Sequence, residues 1–159
     1  MSDKDTKTYL EDVPVGVARI YGPKTVTRDE IIAFATKFDP QPFHVDEEAA
    51  KDSIFGGLVA SGWHTASIAM RLLVDGSVKN NAGLGSPGFD DLRWLKPVRP
   101  GDALRVRSTC IEIKPSRSKP HMGSARFKTE VLNQNDEVVL DFYSTGLMLR
   151  RPDRDRTAD

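Results

Sequence analysis

A chain of 159 residues, 38% of them hydrophobic and 29% charged, can bury one core and not two, and its composition is not that of a disordered chain. Lys+Arg and Asp+Glu both number 23, and the zero net charge gives no support to a broad nucleic-acid or membrane-surface role. The single cysteine, Cys110, excludes an intrachain disulfide and fits a reducing cytoplasm, the expected location.

Polar Met1 to Thr8 lacks the apolar stretch of a secretory signal, and no apolar run approaches the ~20 residues of a membrane span. Residues 1–8 and the sign-alternating residues 151–159 read as flexible ends around a single domain at 9–150. Residues 17–26 predict a strand, broken at Gly22-Pro23. Thr27-Arg28-Asp29-Glu30 is a capping box, and Ile31, Ile32, Ala35 and Phe38 follow it at helical spacing. Pro40 and Pro42 lack an N–H and fix φ, so they end that helix and leave a stiff, non-helical connection. Asp46 is the expected N-cap of a short polar helix to about Lys51, which Gly56-Gly57 breaks. The most apolar helix, expected to be buried nearly all round, runs from Ser61 or Gly62 to Val74, with Gly76 just past its end. Strands follow at residues 89–96, 104–113, 125–132 and 137–149, the last two joined by the hairpin turn Asn133-Gln134-Asn135-Asp136. Long alternating strands after one buried helix predict an α+β fold, an antiparallel β-sheet curled around a central α-helix.

The chemistry concentrates at residues 39–62. Asp39 and His44 are separated by two prolines, and a stiff connection holds such a pair near its working geometry. A carboxylate and an imidazole held close can share one water, and either can take or give a proton. Gly56-Gly57 and Ser61-Gly62 lead into the apolar helix. A helix start presents free N–H groups and the positive end of its dipole, and glycine lets a ligand approach that backbone. Such groups suit an oxygen that gains negative charge.

Asp39, Pro42, His44 and Asp46, then Phe55-Gly56 and Val59-Ala60-Ser61-Gly62, resemble the hydratase motif of MaoC-like dehydratases and R-specific enoyl-CoA hydratases. In that family the pattern is Asp-x-Asn-Pro-x-His-x-Asp, then Phe-Gly, then a run of small residues ending in His-Gly. The stretch from Asp91 to Val98, with Gly101-Asp102, resembles the strand and turn that follow. The resemblance implies a hot-dog fold, with the sheet wrapped around the central helix. It implies an enoyl-CoA hydro-lyase in which Asp39 and His44 deprotonate a water that attacks Cβ and return a proton to Cα. The Gly62 N–H would polarise the thioester carbonyl. Gly56, Gly57, Trp63, Ser67, Arg93 and Lys96 are the expected substrate contacts; Arg99, Arg117 and Lys119 are further candidates for the CoA phosphates. The partners implied are an acyl-CoA and a second copy of the chain, with dimers able to assemble into hexamers. No cofactor and no metal are expected, because His44, Asp46 and His64 match no zinc spacing.

Gln41 and Ser61 depart from the pattern, standing where the family has Asn and His. Trp63 is bulky enough to narrow an acyl pocket. Asp46 reads as a helix cap, His64 as a packing residue and Cys110 as a small buried hydrophobe. Two other readings stay open: a hot-dog thioesterase, and a module that binds acyl-CoA without turning it over.

Overall fold

The computed structural model describes residues 7–153. In chain order these form β1 (Ala18–Thr25), α1 (Arg28–Phe38), α2 (Pro42–Val45), α3 (Glu47–Lys51), α4 (Gly62–Gly76), β2 (Gly83–Gly85), β3 (Phe89–Trp94), β4 (Ala103–Pro115), β5 (Met122–Leu132) and β6 (Val138–Leu149). The strands make one six-stranded antiparallel sheet in the order β1-β4-β5-β6-β2, with β3 pairing β6 alongside β2.

The sheet wraps α4, the hot-dog arrangement. From Ala103 to Cys110 of β4 burial alternates residue by residue, as expected of a strand with one face on the core. Leu104, Val106, Val131, Val139, Leu140 and Phe142 of the sheet share a buried cluster with Ile68, Ala69 and Leu72 of α4. The other face carries charge: Arg107 pairs with Glu130 at 2.8 Å and Lys128 with Asp141 at 3.0 Å. A second buried cluster joins Leu10, Cys110, Ala125 and Met148, and burial pushes the Cys110 thiol above its ordinary value.

Local signals account for most of the elements. Thr27 caps α1: its hydroxyl accepts from the Glu30 N–H, and the Glu30 carboxylate accepts from the Thr27 N–H. Asp46 caps α3, its carboxylate accepting from the N–H groups of Glu48 and Ala49. The β1–β4 register shifts between Tyr21 and Lys24, across Gly22-Pro23. On β3 the register shifts between Asp90 and Arg93, where Asp91 takes φ +51°, a bulge in a strand that among the described residues pairs on one side only.

Four expectations change. The connection from Asp39 to His44 is not wholly irregular, because Pro42, at the first helical position, starts the single turn α2. The helix α4 is not buried nearly all round: Trp63, Ser67, Met70 and Arg71 are exposed on one side, and its last residue is Gly76. The short strand β2 was not foreseen. Thr8 and Arg151 are held rather than loose: Thr8 bridges to Asn81, and Arg151 pairs with Asp12 and lies over the Tyr9 ring. Residues 1–6 and 154–159 of the expected flexible ends lie outside the described residues. No helix among the described residues is long and apolar enough to cross a membrane.

Candidate active site

Asp39 ends α1. Its N–H donates to the Ala35 carbonyl at 2.8 Å, and Pro40 stops the helix from continuing. The turn α2 then carries His44 inward, where it is 6% exposed. Residues 58–61, which form no helix or strand, run past it. The Val59 N–H donates to the Phe43 carbonyl at 3.2 Å, and the Ala60 N–H to the Val98 carbonyl at 2.8 Å. The sequence therefore crosses itself here, bringing the end of α1, α2 and the start of α4 together.

His44 Nδ1 lies 2.6 Å from the Val59 carbonyl oxygen. A carbonyl only accepts, so Nδ1 carries the hydrogen, and the neutral ring presents a lone pair at Nε2. That Nε2 is 3.4 Å from Asp39 Oδ2. Two acceptors this far apart do not bond each other directly, and a water beside them can donate one hydrogen to each. Asp39 is fixed by two further bonds: Ser61 Oγ donates to Oδ2 at 2.7 Å, and Gln41 Nε2 donates to Oδ1 at 2.7 Å. Ser61 first and Gln41 second hold the Asp39 carboxyl below its usual range against the opposing push of burial, and His44 adds a smaller Coulombic effect only in its protonated form.

Ser61 is the N-cap of α4, but its side chain does not cap the helix. The N–H groups of Gly62 and Trp63 make no hydrogen bond within the described residues. Gly62 also has a steric reason to be glycine, since a Cβ there would overlap the Trp94 ring. Trp94 meets Trp63 edge to face at 5.2 Å. Together these groups line a cavity of about 500 Å³, with Asp39, Gln41, His44 and Gly62 among its polar groups and Phe43, Phe55, Trp63, Trp94 and Leu95 among its apolar ones.

Of the residues singled out from the sequence, Asp39, His44, Gly62, Trp63 and Lys96 line this cavity. Lys96 is ion-paired with Glu137. Gly56, Gly57, Ser67 and Arg93 do not line it. Gly56, at φ +66°, turns the chain, and Gly57 lies next to the Arg99 side chain. Arg99 braces this turn by donating to the Phe55 carbonyl at 2.7 Å. Ser67 donates back to the Trp63 carbonyl at 2.7 Å, and Arg93 is exposed on β3. Arg117 and Lys119 sit between β4 and β5, away from the cavity lining. His64 faces the interior, stacked on Phe34 with centroids 4.7 Å apart, and its buried Nδ1 has no partner among the described residues. Two contributors were not anticipated, the Val59 carbonyl and the Ser61 hydroxyl as a donor to Asp39, while the Gln41 amide, which the sequence pointed to as a brace of the Asp39–His44 loop, donates to Asp39 directly. A hydroxyl directly before a helix was a signal for Ser61, but it pointed equally to a cap.

The fold is of the hot-dog class, with Asp39 and His44 sharing one cavity beside the start of α4. The chain belongs to the family described as the MaoC like domain, whose profile matches residues 15–132. It is similar to the MaoC-like dehydratase of Rhodospirillum rubrum, whose crystal structure superposes with a TM-score of 0.81 at 44% identity, covering 91% of this chain and 99% of that one. It is 30% identical to the uncharacterized protein YdeM of Bacillus subtilis over 125 residues, 79% of this chain and 87% of that protein. It is 29% identical to the 3-hydroxybutyryl-CoA dehydratase of Methylorubrum extorquens over 138 residues, 84% of this chain and 79% of the relative.

Proposed function

We propose that the chain is a hydro-lyase that adds water across the α,β double bond of an enoyl-CoA, or removes it from a 3-hydroxyacyl-CoA. The observation that carries this reading is the placement of the His44 ring, with Nδ1 2.6 Å from the Val59 carbonyl oxygen and Nε2 3.4 Å from Asp39 Oδ2. With Nδ1 bonded to Val59, the lone pair of Nε2 and Asp39 Oδ2 face one water position. In hydration, the water gives a proton to this pair as its oxygen bonds to Cβ. The π electrons move through Cα to the thioester oxygen, which the free Gly62 N–H stabilises. The pair then returns a proton to Cα as the carbonyl re-forms, giving syn addition. Dehydration is the same path reversed. One such donor contributes ~3–4 kcal/mol in comparable sites. Hydration changes no net oxidation state, and base, acid and donor are all protein groups, so this reading calls for no cofactor beyond the CoA thioester itself. The named activity of the Methylorubrum extorquens relative supports the substrate class.

The same reading includes a second copy of the chain. Among the described residues β3 pairs on one side only, and Phe89, Trp94 and Leu95 are exposed along and just beyond it, near Trp63 and Met70 on the exposed side of α4. A homodimer joined there would wall the cavity and leave a groove for CoA, and dimers could group into hexamers.

The test is the loss of enoyl-thioester absorbance when purified protein meets crotonyl-CoA, run beside His44→Ala and Asp39→Asn. Turnover by the wild type and a loss of at least ~100-fold in both variants is the expected result. Full activity in a folded Asp39→Asn protein would overturn the mechanism. Release of free thiol without hydration would instead identify a thioesterase.

A further inference from the structure

Gln41 is joined to both members of the pair. Its N–H donates to the Asp39 carbonyl at 2.8 Å, and its own carbonyl accepts from the His44 N–H at 2.9 Å. Its side chain closes the set by donating to Asp39 Oδ1 at 2.7 Å. A carboxylate has two equivalent oxygens, and rotation about its last bond exchanges them. One donor on each oxygen, Gln41 from the α1–α2 connection and Ser61 from the start of α4, stops that exchange. Oδ2 is thereby kept as the oxygen that faces His44 Nε2.

We infer that Gln41 is a positioning residue: it holds the Asp39 carboxylate in its working orientation and sets how readily that carboxylate takes up a proton. The inference rests on the reading of Asp39 and His44 as the water-activating pair. The other titratable groups lining the cavity are His44 of α2 and Lys96 from the connection after β3, and the Lys96 ammonium is already paired with Glu137. Neutral donors therefore dominate the surroundings of Asp39, in line with the order of influences on its carboxyl, Ser61 and then Gln41. Gln stands here where the family pattern has Asn, so the amide is one methylene longer. Because Gln41 is exposed, its replacement puts little of the fold at risk.

Two variants separate the hydrogen bond from the packing. Gln41→Met keeps the length and loses the donor; Gln41→Glu keeps the shape and adds a like charge. The readouts are the pH profile of crotonyl-CoA hydration and a carbon NMR titration of the Asp39 carboxyl, assigned with Asp39→Asn. In Gln41→Met, the acidic limb and the Asp39 titration should both move up by about half to one pH unit. kcat should fall about tenfold, with KM within about twofold of the wild type. Gln41→Glu should move the titration further in the same direction. An Asp39 titration unchanged in Gln41→Met overturns the inference, and a shifted titration with unchanged kcat overturns its positioning half. If the wild type leaves crotonyl-CoA untouched, the hydratase reading fails, and the NMR titration alone decides whether Gln41 governs the Asp39 carboxylate.

Discussion

Ser61 stands at the N-cap of α4 and gives its hydroxyl to Asp39 rather than to its own helix. Two effects follow from one bond. The carboxylate keeps a donor in a partly buried place, and the first N–H groups of the helix stay free. Ser61→Ala removes the donor and leaves Oδ2 with only the lone-pair side of His44 nearby. A hydrogen bond to a charged group contributes about 1.5–3 kcal/mol, so hydration by Ser61→Ala should fall about 10- to 100-fold in a folded protein. Steady-state kinetics beside circular dichroism checks this, and wild-type turnover would show that the bond has no part in the chemistry. At Gly62 the constraint is steric. Gly62→Ala must push the Trp94 ring away, so the tryptophan emission should shift and activity should drop together. Asp39 and His44 stand out in the sequence through the resemblance of residues 39–62 to the family motif, the two prolines adding only a mechanical reason, and the structure brings their side chains to 3.4 Å. The supports of the pair were less legible. Gln41 drew notice only as a departure that could alter the brace of the Asp39–His44 loop, a serine read alone is merely polar, and a backbone carbonyl such as that of Val59 has no sequence signature.

At the scale of elements, the signals with a local mechanism were the readable ones. Thr27 and Glu30 mark the start of α1, Asp46 the start of α3, and the alternation of β4 its buried face. The misses were elements whose existence depends on neighbours. α2 is four residues long, too short for a period to register, and the Gly-Leu-Gly of β2 has little strand propensity beyond what β6 imposes. The exposed side of α4 was missed for another reason. Trp63 and Met70 are apolar, and apolarity alone does not say whether the chain itself covers a residue. Thr27→Ala tests a readable signal. It should cost about 1 kcal/mol in chemical denaturation. Ile68→Ala tests the core beneath α4 and should cost about 2–5 kcal/mol. The first change lies at the far end of α1 from Asp39, so it should lower stability while leaving hydration rates within about twofold, given the usual additivity of distant sites.

For the whole molecule, the described structure divides its charges unequally between surface and interior. The outer face of the sheet carries pairs such as Arg107–Glu130 and Lys128–Asp141, which are partly exposed and contribute little each. The interior holds His64, 7% exposed, stacked on Phe34, with an unpartnered Nδ1. Burial, opposed in part by Glu30, pushes its imidazolium below the ordinary value of 6.5. The unfolded chain therefore binds a proton at His64 at pH values where the folded chain does not. Stability from this group is complete above about pH 6.5 and is lost as the pH falls below that value, levelling off under the folded-state pKa. Asp39 acts in the same direction but lower: its depressed carboxyl contributes above the ordinary value of 3.8 and loses that contribution only as the pH falls through the folded value. Urea midpoints between about pH 5 and 8 thus isolate the histidine from Asp39. The wild type should lose stability from the neutral to the acidic end of that range, and His64→Leu should lose distinctly less. Parallel curves for the two proteins would mean that the buried imidazole takes its proton without cost, and that the stack on Phe34 opens before it titrates.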